Sequence, residues 1–316
     1  MKKPRTAKKT ESRGSGKSPG PKKIQGSGKL LSHGKIQGMG KSTHPGKYSR
    51  YATRFAELRR KGEGAFMPFV MLGDPDVKTS FEIVKTLIEN GADVLELGLP
   101  FSDPIADGKT IQAADQRALA KHFRTADAFR IIAKIRKLDN EIPIGLLVYS
   151  NLINSRGIDR FYMEAGNAGV DGILAADVPI EEAKPFMDAG RNSGVQQIFL
   201  VAPTTTPARM RKISKKAKGF IYAVSLLGVT GARKKLSNDV SGLVRGAKKF
   251  TSLPVCVGFG ISKPEHVRQV LDAGADGAIV GSAIVSIVSS NAGNRKRMLG
   301  KIAQFSRSLK NATVQA

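Results

Sequence analysis

The stretch Phe81-Glu-Ile-Val-Lys-Thr-Leu-Ile-Glu-Asn90-Gly91-Ala92-Asp93-Val94-Leu95-Glu96-Leu97-Gly98-Leu99 runs from an amphipathic helix, through a glycine stop, into a short apolar strand. Its junction, Asn90-Gly91-Ala92-Asp93, recurs as Ala168-Gly169-Val170-Asp171 and as Ala273-Gly274-Ala275-Asp276. Each copy puts glycine where a helix ends in a left-handed conformation, just before the next strand. Outward from this unit, the pattern predicts eight strands, at Ala65–Leu72, Val94–Leu99, Ile142–Tyr149, Gly172–Ala176, Gln197–Val201, Phe220–Val224, Pro254–Gly258 and Gly277–Val280. Helical patterns fall between them at Phe81–Asn90, Arg160–Ala168, Ile180–Ser193, Arg209–Ala217, Ser241–Phe250 and Glu265–Ala273, and a first helix over Ser49–Gly62 precedes them. The strands read as near-continuous apolar runs, the texture of parallel strands buried on both faces. Such units over about 250 residues fit an α/β fold of the (β/α)8 TIM-barrel type, here spanning residues 49–316. An open doubly wound sheet is the competitor, but no G-x-G-x-x-G follows the first strand, and Gly258-Phe259-Gly260 lacks the third glycine.

Composition narrows the chemistry. The 316 residues are 41% hydrophobic and 25% charged, a globular balance. The one cysteine, Cys256, excludes an internal disulfide, and four scattered histidines leave little for a metal site, so no metal is expected. No apolar run reaches the roughly 18 residues of a membrane span. These features suggest a cytoplasmic protein.

The net charge of +26 is unusual, and half of it sits in residues 1–50, where 14 Lys/Arg face one acid, Glu11. Residues 1–47 hold nine glycines and almost no large apolar side chains, so residues 1–48 are expected to form a disordered Lys/Gly-rich extension. Its Gly40-Lys41-Ser42 and Gly16-Lys17-Ser18 triplets fail as phosphate loops, because Lys35 and Glu11 stand where the motif needs glycine. No apolar segment follows the charges as in a secretory signal, and the Lys/Gly bias argues against a transit peptide. Weak, salt-sensitive contact of residues 1–47 with nucleic acid or anionic surfaces is the expected property of such a head.

In barrels of this kind the chemistry lies at the C-terminal strand ends. Glu96 stands inside an apolar strand with no basic neighbour in sequence, so its carboxyl should be desolvated and its pKa raised. It suits a proton donor and acceptor; equally, it suits a barrel-layer acid paired with a Lys or Arg from another strand. The loop after it, Phe101-Ser102-Asp103-Pro104-Ile105-Ala106-Asp107-Gly108, carries two acids, of which Asp103 fits turn chemistry and Asp107 can be aimed over the barrel mouth. Glycine-rich ends at Leu227–Gly231, Gly258–Ser262 and Gly281–Ala283 bare backbone N–H groups beside helix starts, as a phosphate site requires. A phosphorylated substrate and acid–base chemistry are implied.

The motifs Phe66-Met-Pro-Phe69, Leu72-Gly-Asp-Pro75, Leu95-Glu-Leu-Gly-Leu-Pro-Phe-Ser-Asp-Pro-Ile-Ala-Asp-Gly108 and Thr110-Ile-Gln112 strongly resemble the tryptophan synthase α subunit family. Pro143–Leu147, Ala176–Pro179, Gly228–Gly231, Gly258–Ile261 and Gly281–Ile284 continue the likeness in the same order, over about residues 49–310. The resemblance implies cleavage of indole-3-glycerol phosphate to indole and glyceraldehyde 3-phosphate, with no cofactor in this chain. It implies that Glu96 is the acid/base, that Asp107 binds the indole N–H, and that Tyr222 is the active-site tyrosine. It assigns Gly231, Gly260, Gly281 and Ser282 to the phosphate, Phe69, Leu147, Leu174 and Phe259 to the indole pocket, and Thr230 to a mobile loop, Leu227–Lys235. The implied partner is a pyridoxal-phosphate β subunit in an α2β2 assembly. A stand-alone lyase releasing indole, or a lapsed barrel with a nucleic-acid-binding tail, are the alternatives. Lys109, Leu226 and Met71 depart from the family pattern, and the basic head has no counterpart in it.

Overall fold

The computed structural model describes residues 49–224, 233–258 and 260–314, with the backbone alone at 233–239. The expected extension at 1–48, and the expected roles of Thr230, Gly231, Leu226 and Phe259, lie outside the described residues.

Helix α1 (Arg50–Lys61) begins where the Ser49 side chain accepts the Ala52 N–H and ends at Gly62, whose φ of +68° is left-handed. One stripe of the helix, Tyr51, Phe55 and Leu58, is buried. The Tyr51 ring reaches into the floor of the barrel, 5.5 Å from Phe220, and a Cβ at Gly145 would come within 2.8 Å of its hydroxyl. Glycine at that strand position therefore makes room for the plug.

The strands are β1 (Ala65–Met71), β2 (Leu95–Gly98), β3 (Ile144–Val148), β4 (Gly172–Ala175), β5 (Gln196–Gln197), β6 (Phe199–Val201), β7 (Ile221–Val224), β8 (Val255–Gly258) and β9 (Gly277–Val280). All pair in parallel, in the order β5-β4-β3-β2-β1-β9-β8-β7-β6. β5 and β6 flank Ile198, whose N–H donates to the Ile173 carbonyl at 3.0 Å. They are thus one interrupted strand, which pairs with β4 at one end and β7 at the other and brings the sheet back on itself. Eight strand positions result, as expected for the barrel.

Helices α2 (Val77–Glu89), α3 (Lys109–Leu119), α4 (Thr125–Leu138), α5 (Ser150–Asn154), α6 (Ile158–Ala168), α7 (Lys184–Ser193), α8 (Pro207–Lys216), α9 (Arg233–Lys248), α10 (Pro264–Asp272), α11 (Ser282–Ser290) and α12 (Arg295–Asn311) complete the chain. No helix among the described residues is long and apolar enough to cross a membrane.

The recurring junction does more than stop helices. Gly91, Gly169 and Gly274 take φ values of +100°, +99° and +94°, as the left-handed stop requires. The aspartate two residues on then repeats one contact three times. The carboxylates of Asp93, Asp171 and Asp276 accept the N–H groups of Phe66, Ile144 and Val255, each at 2.8 Å. Their own N–H groups donate to the carbonyls of those same residues. Each aspartate thereby staples its strand to the start of a neighbour, and each has a cation: Lys310 for Asp93, Arg50 and Arg136 for Asp171, Lys248 for Asp276.

Asp171 is 8% exposed and lies between two guanidiniums at 2.8 Å. Replacing it leaves Arg136 partly buried without its partner, a loss of roughly 3–5 kcal/mol. Asp171→Ala should lower the unfolding free energy by that amount, read as a lower urea midpoint at unchanged m-value; a midpoint within experimental scatter of the wild type would show the staple to be dispensable.

Candidate active site

Glu96 is the second residue of β2, in register with Phe69 of β1 and Gly145 of β3. It is 4% exposed, and its Oε2 is buried without a hydrogen-bond partner. Among the described residues no cation pairs with it, and no Lys or Arg of another strand does, so the alternative of a salt-bridged barrel-layer acid does not hold. Burial, followed by the charge of Asp107, pushes its pKa from the usual 4.5 up to about 8. The carboxyl is therefore mostly protonated at neutral pH.

Asp107 hangs over the same space on the loop between β2 and α3. Its carboxylate accepts the Tyr149 O–H at 2.9 Å, and the Ala106 N–H donates back to the Tyr149 oxygen at 3.0 Å. Gln112 Nε2 donates to the Asp107 carbonyl at 2.8 Å. At the other end of the loop, the Phe101 N–H donates to Asp115 at 3.1 Å, and the Phe101 ring stacks on Tyr149 at 5.1 Å between centroids. Asp107 is thus held from both sides. Burial raises its pKa, and the tyrosine hydrogen bond opposes the rise. Asp115 is buried on α3, and desolvation raises its pKa to about 7. Asp103 stays exposed, hydrogen-bonded by Ser102, in the turn role its sequence suggested.

Both acids line a cavity of about 390 Å³ at the C-terminal strand ends. Tyr222, Phe69, Leu147, Ile111 and Ile279 supply its apolar body. Two close approaches shape it. A Cβ at Gly258 would lie 2.3 Å from the Tyr222 hydroxyl oxygen, and one at Gly98 would lie 2.7 Å from the Phe69 ring. Burial and the neighbouring Glu96 and Asp107 raise the pKa of the Tyr222 hydroxyl, which keeps its proton. At the far end, Gly260, Gly281 and Ser282 line the cavity with Ser262 and His266. Gly260 has a φ of +75°, and Gly281 caps α11, whose first residue is Ser282. The Ser262 N–H donates to His266 Nδ1 at 3.3 Å, which leaves the neutral ring its proton on Nε2. Glycine backbone and the start of α11 are the kind of donors that an anion requires.

The structure thus brings together Glu96, Asp107, Tyr222, Phe69, Leu147, Gly260, Gly281 and Ser282 around one cavity. Leu174, in register beside Leu147, instead packs in the apolar layer with Tyr51, Phe220 and Tyr222 and does not line it. Met71 packs with Ile111, Ala114 and Val285 and likewise stays out of the lining, while Lys109 is the exposed first residue of α3. Tyr149, Gln112, Asp115 and His266 were not singled out from sequence. Tyr149 ends the third expected strand, and that strand-end position was the available signal. A second cavity, of about 220 Å³, lies at the opposite end of the barrel beside α1, where Lys248 and Asp276 already pair. Among the described residues, no group of three or more His, Cys, Asp or Glu could hold a metal.

The family model for the tryptophan synthase alpha chain matches residues 55–314. The chain belongs to that family. The tryptophan synthase alpha chain of Methanothermobacter thermautotrophicus is 52% identical over 259 residues, covering 82% of this chain and 96% of its own. Among solved structures, the alpha subunit from Legionella pneumophila superposes with a TM-score of 0.78 at 34% identity, covering 84% of this chain and 98% of that one. A chain of the tryptophan synthase α2β2 complex from Pyrococcus furiosus gives 0.73 at 40% identity, covering 78% and 98%. As a tryptophan synthase α chain the protein is a lyase of tryptophan biosynthesis.

The hydroxyl of Tyr149 should hold Asp107 toward its charged form. Tyr149→Phe removes the donor, so the Asp107 carboxyl pKa, followed by carbon-13 NMR, should move up. An unchanged titration would mean that the contact does not govern Asp107.

Proposed function

We propose that the cavity cleaves indole-3-glycerol phosphate to indole and glyceraldehyde 3-phosphate. The observation that carries this reading is the neutral, unpartnered carboxyl of Glu96, buried beside Asp107 in a cavity with a glycine-lined anion end. Carbon–carbon scission needs a proton at the leaving ring carbon and a base at the hydroxyl of the adjacent carbon, and one carboxyl can serve both in turn. Glu96 gives its proton to indole C3. The ring nitrogen becomes an iminium, and Asp107 accepts its N–H and offsets the new positive charge. The Glu96 carboxylate then removes the proton of the adjacent glycerol hydroxyl. As that C–O becomes a carbonyl, the electron pair of the C–C bond returns to the ring. Indole and the aldehyde leave, and Glu96 is again protonated.

The donor-rich end, with Gly260, Gly281, Ser282 and the Nε2–H of His266, suits the phosphate, and Phe69, Leu147 and Tyr222 suit the indole. Gly231 and Thr230 are proposed to join the phosphate and the lid from the loop after β7, with Phe259 as a further wall of the indole pocket. A pyridoxal-phosphate β subunit is the proposed partner, in an α2β2 complex such as the tryptophan synthase complex of Pyrococcus furiosus forms. In this reading the protein is cytoplasmic and this chain itself holds no cofactor.

Glu96→Gln should cut indole formation by about 10²–10⁴-fold. It should also stabilise the fold in alkali. An acid whose folded pKa is raised adds stability that is complete below its unfolded pKa, near 4.5, and that is lost as pH climbs toward about 8. Glutamine has no such loss, so the variant should melt above the wild type at pH 8 and close to it at pH 4. Near-wild-type turnover in the glutamine variant would overturn the mechanism.

A further inference from the structure

The head accounts for half of the excess positive charge, and the other half is also concentrated. Residues 207–264 hold 13 Lys/Arg against a single acid, Asp239, and no acid occurs between Asp188 and Asp239. The rest of the barrel is close to neutral. The structure gathers this charge on neighbouring helices, α8 and α9, on the outer wall of the barrel. Met210 and Ile213 of α8 face inward, while Arg211, Lys212, Lys215 and Lys216 are exposed, followed by Lys218. Arg245 and Lys249 extend the exposed array on the α9 side.

A helix that needed only solubility would alternate its charges, as other helices here do: Lys85 with Glu89, Arg160 with Glu164, Lys184 with Asp188. On this face Arg209 pairs with Glu181, Lys248 pairs with Asp276, and Arg211 lies over the Phe250 ring at 5.1 Å. Among the described residues, Lys212, Lys215, Lys216, Lys218, Arg245 and Lys249 have no carboxylate partner. Arg211 and Lys215, and Lys212 and Lys216, stand as exposed like charges four residues apart, an arrangement that destabilises a helix. An external polyanion would offset that cost.

We propose that the α8–α9 face is a binding surface for duplex nucleic acid, contacted through its phosphate backbone without sequence preference. A duplex presents one negative charge per roughly 1.7 Å, and its neutralisation releases counterions. The described large apolar residues that are exposed, Val77, Ile105, Leu138, Met163 and Val314, all lie elsewhere, so the described part of the face has nothing to insert into a bilayer. Among its described residues it has no exposed aromatic on which an unpaired base could stack, which favours the duplex over a single strand. The surface lies on the outer wall, away from the cavity at the strand ends, so binding there is compatible with turnover.

The test uses the full chain and a labelled DNA duplex of mixed sequence, titrated by anisotropy between about 50 and 200 mM salt. The triple variant K212E/K215E/K216E should bind at least tenfold more weakly at the low-salt end. Its slope of log affinity against log salt should be shallower by about 3, one for each lost phosphate contact. K121E/K134E/K137E, with the same change of net charge around α3 and α4, should bind nearly as well as the wild type. Both should keep the wild-type circular dichroism and turnover. Equal weakening of the two variants would reduce the effect to net charge and overturn the proposal, as would an unchanged affinity in the first. Binding to phosphatidylserine vesicles in preference to the duplex would assign the face to an anionic membrane and overturn it too.

Discussion

A carboxyl without a partner in a dry site must keep its proton, and the arrangement at the mouth of this barrel follows from that constraint. Among the described residues Glu96 meets no cation, and its buried oxygen accepts no hydrogen bond. Its neighbours fit around it without relieving the burial: Phe69 fills space that Gly98 leaves open, and Tyr222 fills space that Gly258 leaves open. Asp107 adds a nearby negative charge that further disfavours ionisation of Glu96. Two carboxyls side by side thus stay distinct, one neutral in apolar surroundings and the other held by a tyrosine. That separation of roles within a single cavity is what acid–base scission of a carbon–carbon bond requires.

The two ends of the barrel divide stability from chemistry. At the floor, aspartates bond strand N–H groups and meet cations, so their charges are used up in structure. At the mouth, Glu96 is buried with an unpartnered oxygen, and Asp107 is held by the hydroxyl of Tyr149 rather than by a cation. A barrel stapled at one end can hold groups at the other in states that weaken the fold. Glu96 destabilises the folded state above its unfolded pKa, and the floor carries that cost.

What could be read from the amino-acid sequence divides along the reach of each interaction. The left-handed stops at Gly91, Gly169 and Gly274 were legible because they are local backbone requirements. The bonds of the following aspartates were not, because Phe66 is 27 residues from Asp93, and Ile144 is 27 from Asp171. Strand count was legible from apolar runs, whereas the break of the fifth strand at Ile198 leaves no mark in composition. Glu96 stood out as an acid in an apolar strand, and Asp107 as an acid in the loop that follows. Tyr149 did not, because a strand-end tyrosine does not declare where its hydroxyl points. Leu147 and Leu174 are register neighbours, yet only Leu147 lines the cavity. Such layering depends on barrel curvature and is invisible to a period of two.

The protonation of Glu96 can be observed without substrate or partner. Difference infrared spectroscopy across a pH titration, with Glu96→Gln to assign the band, follows the carbonyl stretch of its protonated carboxyl. A band that persists through neutrality and is lost with a midpoint about pH 8 is the expected result. A midpoint at or below about 5, in the range of an ordinary glutamate, would contradict a desolvated, neutral acid and with it the chemistry assigned to this site.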